Sequence, residues 1–198
     1  MKVDKKVSSG VLTTIAASVA AHEATADGFD GFYIGASVNS FSGDVPYYYS
    51  SSSYGDYQFK DQATIGAFAG YNHVTASGAM FGFELDQFAT LGAQNGYPSD
   101  YTLEGLIDVR VRAGYVLNDK TMIYGFAGVS NARGGGETAG RSYSEAGSNY
   151  GIGAEYLLTD KLGISAEYTG RKLDANYSDM DKSSATSSSV SLRAAFHF

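Results

Sequence analysis

Cysteine and tryptophan are absent from the 198 residues of this chain, and only two prolines are present. The lack of cysteine excludes a disulfide scaffold, a thiolate zinc or iron–sulfur site, and thiol catalysis. Charged residues make up 18% of the chain, against about 25% in typical soluble domains. The net charge of −7 argues against nucleic acid as a partner, because phosphate binding needs a basic surface. Because no apolar run reaches the length of a membrane helix, a helical span is not expected.

Glycine and aromatic residues are abundant instead. The chain holds 25 glycines, 16 tyrosines and 11 phenylalanines, and glycine stands at nearly twice its usual share of about 7%. The length suits one domain. This composition predicts a single β domain rich in glycine and aromatic side chains.

The first 26 residues read as an export signal. Lys2, Lys5 and Lys6 supply a positive start, a moderately apolar stretch follows, and the sequence Ala-Thr-Ala at 24–26 fits a cleavage site. We therefore expect a signal peptide over 1–26 and a mature domain over 27–198. The mature chain would carry 11 basic and 19 acidic side chains, and the absence of cysteine suits an oxidising compartment.

Alternation of apolar and polar residues dominates the rest of the chain. This pattern with a period of two predicts β-strands that have one apolar face. Eight segments show it, with glycine blurring the fifth: 32–39, 65–72, 81–86, 107–115, 122–130, 150–156, 162–168 and 190–198.

A coarse repeat groups these strands into four hairpins. An aromatic residue closes every second strand at Tyr71, Tyr115, Tyr156 and Phe198, with spacings of 44, 41 and 42 residues. Short turns fall at 74–79, 117–120 and 158–161, whereas the connections at 42–61, 91–101, 132–147 and 174–187 are longer. Even spacing with short turns at one end predicts an all-β, eight-stranded antiparallel up-and-down transmembrane barrel, with short periplasmic turns and longer extracellular loops.

The polar face of these strands is expected to point inward. All lysines of the mature chain fall in turns, loops or strand ends, whereas a solvated strand surface normally carries lysine. Most strand glycines share the polar face, where they would make room for arginine and glutamate in a narrow lumen. Arginine and carboxylates form paired interactions that suit a confined interior. The predicted interior charge network comprises Glu84, Asp86, Asp108, Arg110, Arg112, Glu155, Glu167 and Arg193.

The aromatic residue that closes every second strand is expected to lie at one edge of the membrane. Tyr71, Tyr115, Tyr156 and Phe198 would form a girdle at the periplasmic interface of the membrane, where amphipathic rings are favoured. Ordinary core aromatics at strand ends are the alternative explanation.

Seven short segments of the strands carry a family resemblance: Phe-Tyr-Ile-Gly at 32–35, Gly-Tyr-Asn at 70–72, Gly-Phe-Glu at 82–84, Val-Arg-Val-Arg-Ala-Gly-Tyr at 109–115, Tyr-Gly-Phe-Ala-Gly at 124–128, Gly-Ile-Gly-Ala-Glu-Tyr at 151–156 and Ala-Glu-Tyr at 166–168. With these segments the chain resembles the outer-membrane β-barrel family of opacity-type and porin-like small surface proteins of Gram-negative bacteria. The resemblance implies a place in the outer membrane, contact with its lipid, and recognition of the terminal Phe198 by the barrel-assembly machinery. The missing tryptophan departs from many relatives and leaves the outer aromatic belt to tyrosine and phenylalanine.

No catalytic constellation emerges from the residues. Of the three histidines, His22 leaves with the signal, and His73 and His197 lie at the predicted periplasmic end. A Ser-His or Asp-His pair therefore cannot form at the outer rim. A site made of the two remaining histidines lacks a clear third metal ligand. We expect no enzyme activity, no metal and no cofactor.

The predicted loops carry the remaining functional signal. A dense Tyr/Ser segment contains Tyr47, Tyr48, Tyr49, Tyr54 and Tyr57. These residue types build adaptable recognition surfaces, so the loops are candidates to contact a host or surface ligand; a solvated loop with anchoring tyrosines is the alternative. The function expected is a structural or adhesive surface protein. A small-solute porin, a lipid-cleaving barrel and a soluble ligand-binding barrel remain open as alternatives.

Overall fold

The computed structural model describes residues 28–50, 53–89, 91–92, 101–136, 141–175 and 183–198. The predicted signal peptide, residues 1–26, lies outside these described residues. Within them, no helix is long and apolar enough to cross a membrane. The described chain is built from β-strands joined in sequence order.

Nine strand segments form one closed antiparallel barrel. They are β1 (Gly31–Ser50), β2 (Ser53–Val74), β3 (Ala79–Phe88), β4 (Leu91–Gly92), β5 (Tyr101–Asn118), β6 (Thr121–Gly136), β7 (Arg141–Leu157), β8 (Leu162–Ala175) and β9 (Ser183–His197). The short β4 and the longer β3 both pair with β5, so they are two pieces of one barrel strand. Pairing of β1 with β9 and of β3 with β5 closes the ring. The predicted eight-stranded up-and-down barrel is confirmed.

Tight turns lie at one end of the barrel, as predicted. The β2–β3 turn places Gly78 at a φ of 87°, and its N–H donates to the Thr75 carbonyl at 2.9 Å. A left-handed backbone of this kind is readily adopted only by glycine. Residues 119–120 and 158–161 make the other two tight connections. Both the start of β1 and the end of β9 lie at this short-turn end.

The barrel is polar inside and apolar outside, which inverts the arrangement of a water-soluble protein. Outward side chains such as Val38, Val111, Ile152 and Leu192 are 60–68% exposed. Their neighbours on the same strands are buried and polar, for example Asn39, Arg112 and Arg193. An exposed apolar band around a closed sheet is the surface that a lipid bilayer covers.

The strands extend well beyond the segments predicted from alternation. The connection predicted at 42–61 is mostly a paired continuation of β1 and β2, with Tyr48 opposite Tyr54 and Ser50 opposite Ser53. The connections predicted at 132–147 and 174–187 are likewise shortened by β6, β7, β8 and β9. The prediction of loops in these three segments is therefore wrong. Outside the membrane a ladder needs no apolar face, so pairing continues where the alternation ends.

Candidate functional site: the charged interior of the barrel

All eight residues of the predicted charge network lie inside the barrel. Each sits at an inward position of its strand, and none is more than 5% exposed. β3 contributes Glu84 and Asp86, and β5 contributes Asp108, Arg110 and Arg112. Glu155, Glu167 and Arg193 come from β7, β8 and β9, so the charges converge from opposite walls of a narrow lumen.

Glu84 is the centre of this interior network. Its carboxylate accepts from Arg110 Nε at 2.7 Å and from Arg112 at 3.2 Å, and it lies 2.8 Å from the Arg193 guanidinium. Tyr33 Oη donates to the same carboxylate at 2.9 Å. A buried charge is tolerated only when it is paired and hydrogen-bonded, and Glu84 meets both conditions.

Glu167 ties the far wall of the barrel to the same arginines. One carboxylate oxygen accepts from Arg110 at 3.0 Å, and the other accepts from Arg193 and from Tyr124 Oη, the latter at 2.7 Å. Asp86 completes this group by pairing with Arg110, and it lies 3.6 Å from Arg193. Three arginines and three carboxylates therefore form one cross-lumen cluster.

Asp108 belongs to a second cluster, nearer the long-hairpin end. Arg171 donates to Asp108 Oδ2 through two nitrogens, at 3.0 and 2.7 Å, and Ser130 donates to Oδ1 at 2.6 Å. Asn149 donates to Ser130 at 3.0 Å, and Arg171 also reaches Ser189 at 2.8 Å. Sequence reasoning missed Arg171, because the alternating segment on β8 was ended at Tyr168. Continuing the inward positions 165, 167 and 169 by two residues would have found it.

Glu155 pairs with a histidine instead of an arginine. His197 Nε2 lies 2.7 Å from Glu155 Oε1, whereas the nearest arginine nitrogen, on Arg112, is 3.9 Å from the other carboxylate oxygen. His73 points the opposite way: its side chain is 64% exposed, and Nδ1 lies 3.4 Å from Asp30. The two histidines therefore do not form a common site. Among the described residues, no three histidine or acidic side chains are grouped to hold a metal ion.

An aromatic ring supports each interior guanidinium. Arg193 lies 3.7 Å from the centre of the Phe68 ring, Arg112 lies 3.9 Å from that of Tyr124, and Arg110 lies 4.2 Å from that of Phe126. Arg171 lies between Phe41 and Phe88, at 5.0 and 5.1 Å. Cation–π contacts strengthen when they are shielded from water, so the rings hold the charges in place as well as filling space.

Interior glycines make room chiefly for these rings. A Cβ added at Gly35 would lie 2.2 Å from the Phe68 ring, and one at Gly70 would lie 2.3 Å from Tyr33 Oη. Gly151 and Gly153 face Phe126 and Tyr124 in the same way. The expectation that glycines make space for the charged side chains holds directly at Gly163, where an added Cβ would lie 2.4 Å from Glu155 Oε1, and holds through the rings at these four positions. The glycines admit the rings, and the rings stack against the arginines.

Apolar clusters lie at both ends of the charged layer. At the short-turn end, Phe29 packs with Met80, Met122 and Leu157; Tyr124 and Phe126 complete this short-turn cluster. At the other end, the long-hairpin cluster consists of Phe41, Phe88, Leu106, Ala132 and Leu173. Among the described side chains, the gap lined by Asp86, Arg110, Glu167 and Arg171 leaves no space for a water molecule. The lumen is therefore packed at the level of the charged layer.

The four residues of the predicted girdle lie near the short-turn end. Tyr115 and Tyr156 are 48% and 46% exposed, and Tyr71 packs against Phe32 with ring centres 4.8 Å apart. Phe198 follows β9, and its N–H donates to the Phe32 carbonyl at 3.0 Å. Their rings face outward beside the tight turns.

The predicted loop residues fall on strands. Tyr47, Tyr48 and Tyr49 lie in β1, and Tyr54 and Tyr57 lie in β2, on the paired hairpin beyond the long-hairpin cluster. The prediction of a loop here is wrong, because the backbone of this segment forms paired β-strands. Tyrosine is favoured in strands, which is consistent with this extension.

Comparisons with known proteins identify the family. The sequence matches the outer membrane protein β-barrel domain over residues 9–198. Among solved structures, the neisserial surface protein A (NspA) is 16% identical with a TM-score of 0.61, and the match covers 85% of this chain and 98% of that one. AlkL, an outer membrane protein solved in lipid bilayers, is 14% identical with a TM-score of 0.50, covering 89% and 95%.

At such identities the likeness to these structures shows the fold alone. No curated protein matches the chain. The family match nevertheless spans nearly the whole sequence, and the barrel carries the outward apolar band that a bilayer requires. The chain therefore belongs to the outer membrane protein β-barrel domain family and is a protein of the Gram-negative outer membrane.

Proposed function

We propose that this protein is a structural and surface-contact barrel of the outer membrane that neither conducts solutes nor catalyses a reaction. The mature chain would begin near Asp27, after removal of the signal peptide. Its barrel would anchor the chain in lipid, and its extended hairpins would contact a host or surface ligand on the outside of the cell.

The packed lumen carries this proposal. A porin needs a water-filled path, whereas here Arg110, Arg193, Glu84 and Glu167 bridge the lumen wall to wall. Apolar clusters lie on both sides of that layer. An eight-stranded barrel is only wide enough for its own side chains to fill it, so the small-solute porin is disfavoured.

The pairing of the interior charges supports a role without catalysis. Each of the five interior carboxylates that the structure describes is paired with an arginine or with His197. A general base or nucleophile must reach a substrate, and these groups are enclosed by the barrel wall and the apolar clusters. The network therefore serves to hold opposite strands of the barrel together.

Single-channel recording tests this proposal. The refolded protein would be inserted into a planar bilayer, with a general porin as the positive control and heat-modifiable gel migration as proof of folding. We expect no stable conductance steps, because the cross-lumen cluster leaves no continuous water path. Reproducible conductance steps of uniform size from folded protein would overturn the proposal and favour the alternative, a small-solute porin.

A further inference from the structure

The inward residues nearest the tight turns are buried, although they lie at the rim of the barrel. Met80 is the second residue of β3, Met122 is the second residue of β6, and Leu157 is the last residue of β7. Met80 and Met122 are completely buried, and Leu157 is 2% exposed. A side chain becomes inaccessible to water only through contacts with the residues around it, so these rim positions are covered from the open end of the barrel.

Phe29 contacts this rim, although it precedes the first strand. It is buried, and it belongs to the short-turn cluster together with Met80, Met122 and Leu157. Its ring also meets the His197 ring edge-on, with ring centres 6.0 Å apart. These partners come from β3, β6, β7 and β9. Because they surround the opening, the Phe29 side chain lies within the mouth at the short-turn end instead of against a single strand.

The backbone next to Phe29 reaches the opposite wall of the barrel. In the ring, β9 and β8 separate β1 from β7, and β2 and β3 separate β1 from β5. A Cβ added at Gly28 would nevertheless lie 3.3 Å from Leu157 Cδ1 and 3.9 Å from the carbonyl oxygen of Asp119, in the β5–β6 turn. Residues 28–30 therefore cross the mouth from one wall to the other, and we call them the N-terminal strap.

Two glycines and an aspartate set the path of the N-terminal strap. Gly28 and Gly31 have φ values of 62° and 108°, in the left-handed region that glycine adopts readily. Asp30 Oδ1 accepts a hydrogen bond from the Val74 N–H at 2.6 Å, which ties the strap to the last residue of β2. The sequence Gly-Phe-Asp-Gly at 28–31 thus places a large apolar side chain and an anchoring carboxylate between two conformationally permissive residues.

We propose that the N-terminal strap is a hinged stopper, in which Phe29 fills the mouth at the short-turn end and keeps water from the charged layer behind it. The stopper seats after the ring has closed, because the strands that contact Phe29 come from distant parts of the chain. This inference does not depend on the proposed lack of conductance. The cross-lumen cluster bridges the lumen whether or not the strap is seated.

Thiol labelling tests the stopper, because the native chain contains no cysteine. Met122→Cys places one thiol in the short-turn cluster, and its reaction with a small water-soluble methanethiosulfonate is timed in folded protein in detergent micelles. Adding Phe29→Ala should speed this labelling about tenfold or more, because water then reaches the thiol without local opening of the strap. Adding Phe81→Ala instead removes an outward ring that is 58% exposed, and it should leave the rate unchanged.

Equal labelling rates with and without the Phe29 ring would overturn the stopper, and so would rapid labelling of Met122→Cys alone. If Phe29→Ala fails to fold, as judged by heat-modifiable migration, crosslinking decides the question. A short bifunctional thiol reagent should join Gly28→Cys to Leu157→Cys in the folded chain. It should not join Gly28→Cys to Leu158→Cys, because Leu158 lies on the outer face. Absence of the first crosslink from folded protein would contradict a strap that crosses the mouth.

Discussion

At the scale of single residues, glycine leaves the space that a tyrosine ring fills inside this barrel. Tyr33 Oη donates to Glu84 and also accepts from Arg112, and its ring lies where a side chain at Gly70 would otherwise be. Gly125 lies on the outward face, where an added Cβ would meet its nearest atom, the Gly151 carbonyl oxygen, only at 3.6 Å. The same residue type is therefore obligatory at one position and replaceable at the other.

A matched pair of alanine substitutions tests this difference. Gly70→Ala should lower the free energy of unfolding by about 1–3 kcal/mol, because the new methyl group displaces Tyr33 from its hydrogen bonds. Gly125→Ala adds the same methyl group without a clash and should change the free energy little. Urea titration in lipid vesicles measures both variants. Equal effects would show that the Gly70–Tyr33 contact is not specific.

At the scale of strands, β5 passes through two environments, the membrane and the region nearer the long-hairpin end. The membrane part of β5 sends Val109 and Val111 outward and Arg110 and Arg112 inward, so its sequence alternates strictly. Nearer the long-hairpin end, β5 continues to pair with β6 up to Tyr101. Alternation of apolar and polar residues is found only where a strand crosses the membrane, whereas backbone pairing continues beyond it. Strands predicted from alternation are therefore shorter than the observed ones.

Arginine substitutions along β5 test the lipid-facing side. Val111→Arg, at a side chain that is 66% exposed, should destabilise the folded barrel by about 2–4 kcal/mol if it faces the bilayer midplane. Leu117→Arg, at the short-turn end and 53% exposed, should cost about 0–1 kcal/mol near the interface. Folding into vesicles, followed by heat-modifiable migration, separates the two. Equal tolerance of both would contradict the lipid assignment of Val111.

At the scale of the whole molecule, the membrane part of the barrel and the long hairpins differ in character. The membrane part presents an apolar exterior, and its described interior is occupied by the paired charges and aromatic rings. The β1–β2 hairpin extends past the long-hairpin cluster and contains the Tyr/Ser segment. Under the proposed function, the hairpins would make the surface contact and the barrel would anchor the chain.

Adhesion of whole cells tests this separation of roles. Replacing Tyr47, Tyr48, Tyr49, Tyr54 and Tyr57 with serine should reduce binding of expressing cells to a cultured animal-cell layer and leave barrel folding unchanged, because tyrosine supplies the contact area of such surfaces. Tyr115→Ser, at the opposite end, serves as the control and should bind as the parent does. Undiminished adhesion of the five-residue variant would remove these tyrosines from the proposed contact.

What the sequence by itself determined is local and periodic: eight crossings, the side of each strand that faces inward, and the end at which the turns are tight. These follow because a bilayer imposes alternation on every crossing strand. Only the tertiary structure decided which charges meet. Glu84 and Glu167 reach the same arginines from opposite walls, and His197 reaches Glu155 across β8. Such pairings depend on strand register and ring closure, which bring together residues that no sequence period relates.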